Sequence, residues 1–98
     1  MIQAIGNNFR LINGTNTGIV LSNDATALRS ITFGGTSNGT VTFYNSATAA
    51  GTAATNEIMT IGSLVATNFP YSLEPNVPCS NGLVYTATGS PVMTVTFD

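Results

Sequence analysis

The sequence predicts an all-β fold: a single antiparallel β-sandwich, jelly-roll or Greek-key-like, of seven or eight short strands. Three observations lead there. Short runs of Val, Ile, Thr, Phe and Tyr recur along the chain, each bounded by Gly, Asn, Ser or Pro, which is how strands and their turns are written. No long segment between these runs carries the apolar stripe that docks a helix, so consecutive strands should pair antiparallel. Finally, 98 residues provide for one core and no second lobe.

Taken in order, residues 1–18 form an N-terminal arm or a short first strand, with residues 9–13 as the strand candidate, and residues 19–98 form the sandwich domain. Residues 17–22 are a firmer strand, because Ile19, Val20 and Leu21 are consecutive apolar residues. In residues 27–33 the alternation puts Arg29, Ile31 and Phe33 on one face and Leu28, Ser30 and Thr32 on the other. The Gly- and Asn-rich residues 34–39 then predict a turn into a strand over 40–45, where Val41 and Phe43 oppose Thr40, Thr42 and Tyr44. Together these make the clearest hairpin of the chain. Asn13-Gly14-Thr15 and Asn38-Gly39-Thr40 match the glycosylation acceptor pattern, but without a secretion signal both are read as turns.

Residues 46–56 are rich in alanine yet offer no apolar stripe, and predict a loop. Strand character resumes at 57–61, with Met59 and Ile61 on one face, and again at 68–73, where Pro70 removes a donor and places the strand at an edge. Prolines and an Asn-Gly pair bend residues 74–82 ahead of a strand at 83–87. A turn at 88–91 leads to the last strand, 92–97, whose Met93, Val95 and Phe97 oppose Val92, Thr94 and Thr96. The expected core is Ile31, Phe33, Val41, Phe43, Met59, Ile61, Leu83, Tyr85, Val95 and Phe97. The Thr-x-Thr pairs are too irregularly spaced for a β-solenoid.

Charged residues make up 6% of the chain, against about 25% in an average soluble domain. Thr, Ser and Asn take their place, which gives a surface with little repulsion between copies. The only cations are Arg10 and Arg29 and the net charge is −2, so no basic patch addresses nucleic acid or an anionic membrane. Cys79 is the single cysteine, which rules out an internal disulfide and a zinc set. The start of the chain has no basic flank or apolar run of a signal peptide, and the expectation is synthesis in a cytoplasm.

The chain is not expected to be an enzyme. It has no histidine, which removes the commonest general base and metal ligand together. Cys79 has no neighbouring cation to lower its thiol pKa. Asp24, Glu57 and Glu74 each lie beside turn residues, with nothing in the sequence to converge them as a catalytic pair or a calcium site. No catalytic, metal-ligating or cofactor-binding residue is assigned, and no cofactor is expected. The candidate interface residues are Arg10, Arg29, Tyr44 and Tyr71. On a nearly neutral surface each arginine is either a planar interface contact or a solvated strand-edge residue. Tyr44, Tyr71 and Tyr85 are either core or interface packing groups or the sugar-stacking groups of a carbohydrate- or receptor-binding module.

Ser30-Ile31-Thr32-Phe33, the strand Gly39-Thr40-Val41-Thr42-Phe43-Tyr44-Asn45, Phe69-Pro70-Tyr71, Asn81-Gly82-Leu83-Val84-Tyr85-Thr86-Ala87 and the closing Val92-Met93-Thr94-Val95-Thr96-Phe97 fall between residues 28 and 98. In these stretches the chain resembles the small capsid decoration, or cement, proteins of tailed bacteriophages. That resemblance implies a β-sandwich on the exterior of the capsid, made in the host cytoplasm and mature in the virion. It also implies self-association, preferably as a homotrimer, and a bridging role across subunits of the major capsid protein. It carries no residue-level binding motif. A recognition module such as a tail or fibre tip is the alternative.

Overall fold

The computed structural model describes residues 8–63 and 71–98. They form nine strands: β1 (Asn8–Asn13), β2 (Asn16–Ser22), β3 (Thr26–Phe33), β4 (Asn38–Tyr44), β5 (Glu57–Ile61), β6 (Tyr71–Leu73), β7 (Val77–Cys79), β8 (Leu83–Ser90) and β9 (Val92–Phe97). One sheet has the order β1-β9-β3-β6, with β7 also pairing β3, and the other the order β2-β8-β4-β5. Every pairing is antiparallel. The all-β, two-sheet antiparallel expectation therefore holds.

The pairings are nested about residues 45–56. β4 pairs β5, β3 pairs β6 and β7, β2 pairs β8, and β1 pairs β9. This is one long antiparallel hairpin folded over on itself. The folding adds two seams, β8 against β4 and β9 against β3, which tie the halves into two layers. The chain passes from one layer to the other at Pro91, which is fully buried and cannot continue a ladder.

Several sequence expectations are corrected. The expected β3–β4 hairpin does not exist: β3 and β4 belong to different sheets, and residues 34–37 cross between them. A Gly-rich corner between layers and a tight hairpin turn draw on the same residues, and both put the apolar faces of the two strands on the core. Asn38-Gly39-Thr40 opens β4 and is not a turn; Gly39 (φ 113°) lies opposite Gly89 (φ 83°), and a Cβ at Gly39 would strike the Thr88 carbonyl. For the same reason residues 88–90 are no turn but the end of β8. Strand β7 falls inside the region expected only to bend, and brings the strand count above the seven or eight expected. Asn13-Gly14-Thr15 does turn the chain, with Gly14 at φ 86°. Pro70 and the start of the strand expected over 68–73 lie outside the described residues, as do residues 1–7.

A bulge between Leu28 and Ser30 resets the side-chain alternation of β3. Leu28 and Ile31 both reach the core, and Arg29 shares no buried face with Ile31 and Phe33. Eight of the expected core residues are buried, from Ile31 to Phe97, while Met59 and Ile61 pack only partly against the cluster because β5 is an edge strand. Ile12, Leu28, Cys79, Ala87 and Met93 complete the core. Phe43 and Tyr85, opposite each other on β4 and β8, set their rings 6.3 Å apart. Each such buried side chain is worth about 1.5–3 kcal/mol of transfer free energy.

The loop over residues 46–56 is braced by its own polar groups rather than by helix. Ser46 Oγ donates to the Thr48 carbonyl at 2.9 Å and accepts from the Thr48 N–H at 3.2 Å. Asn56 Nδ2 donates to the Gly51 carbonyl at 2.9 Å. Two single 3₁₀ turns, Ala49–Gly51 and Ala54–Asn56, lie between these clamps.

Candidate interaction surface

The outward side of each sheet is a field of hydroxyl groups that bond to one another. On the first sheet Ser30 and Thr96 share a hydrogen bond of 2.6 Å, and Thr32 and Ser72 one of 3.1 Å. On the second, Thr40 pairs with Thr88 at 2.7 Å and Thr42 with Thr60 at 3.1 Å, while the Gly18 N–H donates to Thr86 Oγ1 at 3.2 Å. Cross-strand threonine pairs stabilise a sheet, each pair using one hydroxyl proton between its members and leaving the other to solvent or a further acceptor. The result is two broad faces whose hydroxyls are partly engaged within the sheet.

Strand β1 interrupts this pattern. It closes one edge of the first sheet, pairs β9 in unbroken register from Asn8 opposite Phe97 to Asn13 opposite Val92, and has no strand on its other side among the described residues. Ile12 points into the core, so Phe9 and Leu11 point out. Phe9 is 76% exposed and Leu11 54%, the two most exposed large apolar side chains among the described residues. Val92, across the ladder from Asn13, extends the apolar patch. Sequence reasoning passed over Phe9 and Leu11, although their parity opposite Ile12 was there to be read.

The four candidate interface residues are not brought together. Arg10 lies on β1, Arg29 on the inner strand β3 and Tyr71 on the opposite edge strand β6, while Tyr44 is on β4 of the other sheet. Three strand spacings, roughly 14 Å, separate β1 from β6. Arg10 is exposed and makes no ion pair among the described residues. Arg29 is engaged within the chain: Nε donates to Asp98 Oδ1 at 3.0 Å and Nη2 to Oδ2 at 2.8 Å, with Nη1 reaching Asn76 Oδ1 at 3.4 Å. These hydrogen bonds raise the Arg29 pKa and hold the Asp98 carboxyl below its ordinary value; partial desolvation opposes both shifts and mutual charge attraction adds to them. Tyr71 stands opposite Phe33 with ring centroids 6.2 Å apart, and Tyr44 is half-buried opposite Glu57 and Val84.

Among the described residues, two grooves run where the sheet edges meet. One, of about 380 Å³, lies between β1 and β2 and includes Phe9, Leu21 and Phe97; the other, of about 240 Å³, lies between β5 and β6 and includes Phe33, Ile61 and Tyr71. No family model, no curated protein and no solved structure matches this chain. The surface has to be read from its own chemistry.

That chemistry is spare. Asp24 sits in the turn after β2, Glu57 opens β5 and Glu74 follows β6, so no two of these carboxylates share an element. Among the described residues no group of three His, Cys, Asp or Glu side chains converges as a metal site. Cys79 is buried, and its desolvation pushes the thiol pKa up, against a hydrogen bond from the Leu28 backbone. Such a thiol is a packing group.

Proposed function

We propose that this chain is a structural virion protein of the capsid decoration kind, lying on the outside of an assembled shell and bridging subunits of the major capsid protein. The observation that carries the proposal is the pair of hydroxyl-laddered, nearly uncharged faces, the first of them bordered by the apolar patch of Phe9, Leu11 and Val92. A face whose polar groups partly bond one another loses less hydration when another protein covers it than one whose hydroxyls are all given to water. Many such contacts, each weak, add through the symmetry of a shell.

The strand order supports a jelly-roll reading of the sandwich. A long hairpin with nested pairs, folded so that β9 meets β3 and β8 meets β4, is how two interlocked Greek keys arise. Jelly rolls serve in viral capsid and lectin domains alike, so the fold by itself leaves both structural and sugar-binding roles open. Against the sugar-binding alternative, Tyr85 is fully buried, and Tyr44 and Tyr71 lie on different sheets and make no common stacking platform.

The test is co-sedimentation of the purified chain with empty shells assembled from a tailed-phage major capsid protein. Saturable binding with a fixed copy number per shell is expected. Absence of binding, together with a positive result on a glycan panel, would overturn the capsid reading in favour of a carbohydrate-binding module.

A further inference from the structure

We infer that β1 is a pairing edge for a second copy of this chain, and that two copies join their β1 strands antiparallel about a two-fold axis at Leu11. The inference stands on the geometry of β1 and does not depend on the capsid reading.

An edge strand offers a row of unpaired N–H and C=O groups, and native chains blunt such edges with bulges, prolines, short strands or lysines. Three edges of this sandwich are blunted. β2 is broken by two register shifts against β8 and holds Gly18 at φ 60°. β6 and β7 are three residues each, and β7 contains Pro78. β5 meets a register shift at Tyr44 and begins with an exposed Glu57. β1 has the fewest of these devices: six residues in continuous register, no proline, the single charge of Arg10, and two outward apolar side chains. Its exposed backbone calls for another strand, and its exposed side chains call for apolar cover.

The strand is complementary to itself. A two-fold axis perpendicular to the sheet keeps the outer faces of both copies on one side, and so sets odd-numbered residues of β1 opposite odd-numbered ones. Centring the axis on Arg10 would oppose the two arginines directly, which is unfavourable. Centring it on Leu11 sets Leu11 opposite its own copy, Phe9 opposite Asn13 and Arg10 opposite Ile12. Phe9 then reaches the other copy's Leu11 across the diagonal, a distance aromatic side chains span. A head-to-tail ring is disfavoured, because β1 would have to pair with the short, interrupted β6–β7 edge. With a net charge of −2 the two copies repel weakly.

The experiment is sedimentation equilibrium on the full chain over roughly 10 µM to 1 mM, the range in which a small interface dissociates. A mass approaching twice 10.1 kDa is expected at the upper end. Leu11→Lys, which puts two ammonium groups at the axis, should weaken dimerisation by at least about tenfold while the circular dichroism of the fold is retained. Val20→Lys on the exposed side of β2 should leave dimerisation unchanged. Under mild oxidation Leu11→Cys should cross-link to its own copy, since opposed strand residues sit within disulfide reach, whereas Phe9→Cys should not. Buried Cys79 does not compete. A chain that stays monomeric at the highest concentration, a Leu11→Lys variant that dimerises like the native chain, or cross-linking through Phe9→Cys but not Leu11→Cys would each overturn the proposal.

Discussion

The Tyr85 hydroxyl is buried and has no hydrogen-bond partner among the described residues, and its ring is fully enclosed by the core. An unpaired buried hydroxyl costs on the order of 1–3 kcal/mol, so Tyr85→Phe should be neutral to stabilising by about 1 kcal/mol. A rise of a few degrees in thermal midpoint checks it. Arg29 and Asp98 make the opposite case, a polar pair with every geometric advantage. The Asp98 carboxyl is held below its ordinary value of 3.8, chiefly by hydrogen bonds from Arg29. A carboxylate with a depressed folded pKa stabilises the fold above its unfolded pKa, and that contribution disappears as pH falls through the folded value. Asp98→Asn should therefore lower the urea midpoint at neutral pH, and the gap between variant and native chain should close as the pH is taken below the ordinary carboxylate range. A gap that persists unchanged in strong acid would exclude the pair as its source.

At the scale of the element, Phe43 joins β4 to the core between Met59 and Tyr85, its neighbours on either side in the ladder. It is fully buried, and Phe43→Ala should cost about 3–5 kcal/mol, read from chemical denaturation. Its burial was legible because the Thr-Val-Thr-Phe-Tyr alternation of β4 is undisturbed. β3 carries an equally clean pattern but a bulge at Leu28 to Ser30, and there the same reasoning put Leu28 on the wrong face. A bulge depends on the partner strand as much as on the bulged residues, so one segment read alone does not reveal it. The partner of a strand is no more local: β3 and β4 are adjacent in the chain and lie in opposite layers, while β3 pairs with β9 from the far end. The interaction surface was legible only in part. A low count of charges predicts a neutral exterior, but that Phe9 and Leu11 stand at an open edge follows from strand order, which periodicity does not encode.

At the scale of the whole molecule, the nested pairing sets the folding problem. Residues 8–13 find partners in residues 92–97, so the outermost seam closes a loop of nearly the entire chain. Such non-local sheets fold in milliseconds to seconds, and a stopped-flow refolding trace in that range is expected, with microsecond folding contradicting the topology. The hydroxyl ladders have a consequence for any complex built on them. Dissolved ions screen attraction between exposed charges more than about 8–10 Å apart at ordinary ionic strength, and closer ones as salt is raised, but they have little hold on threonine hydroxyls already bonded to their neighbours or on Phe9 and Leu11. An assembly held by these faces should keep its affinity from dilute buffer to concentrated brine, where one held by arginine and carboxylate pairs would loosen.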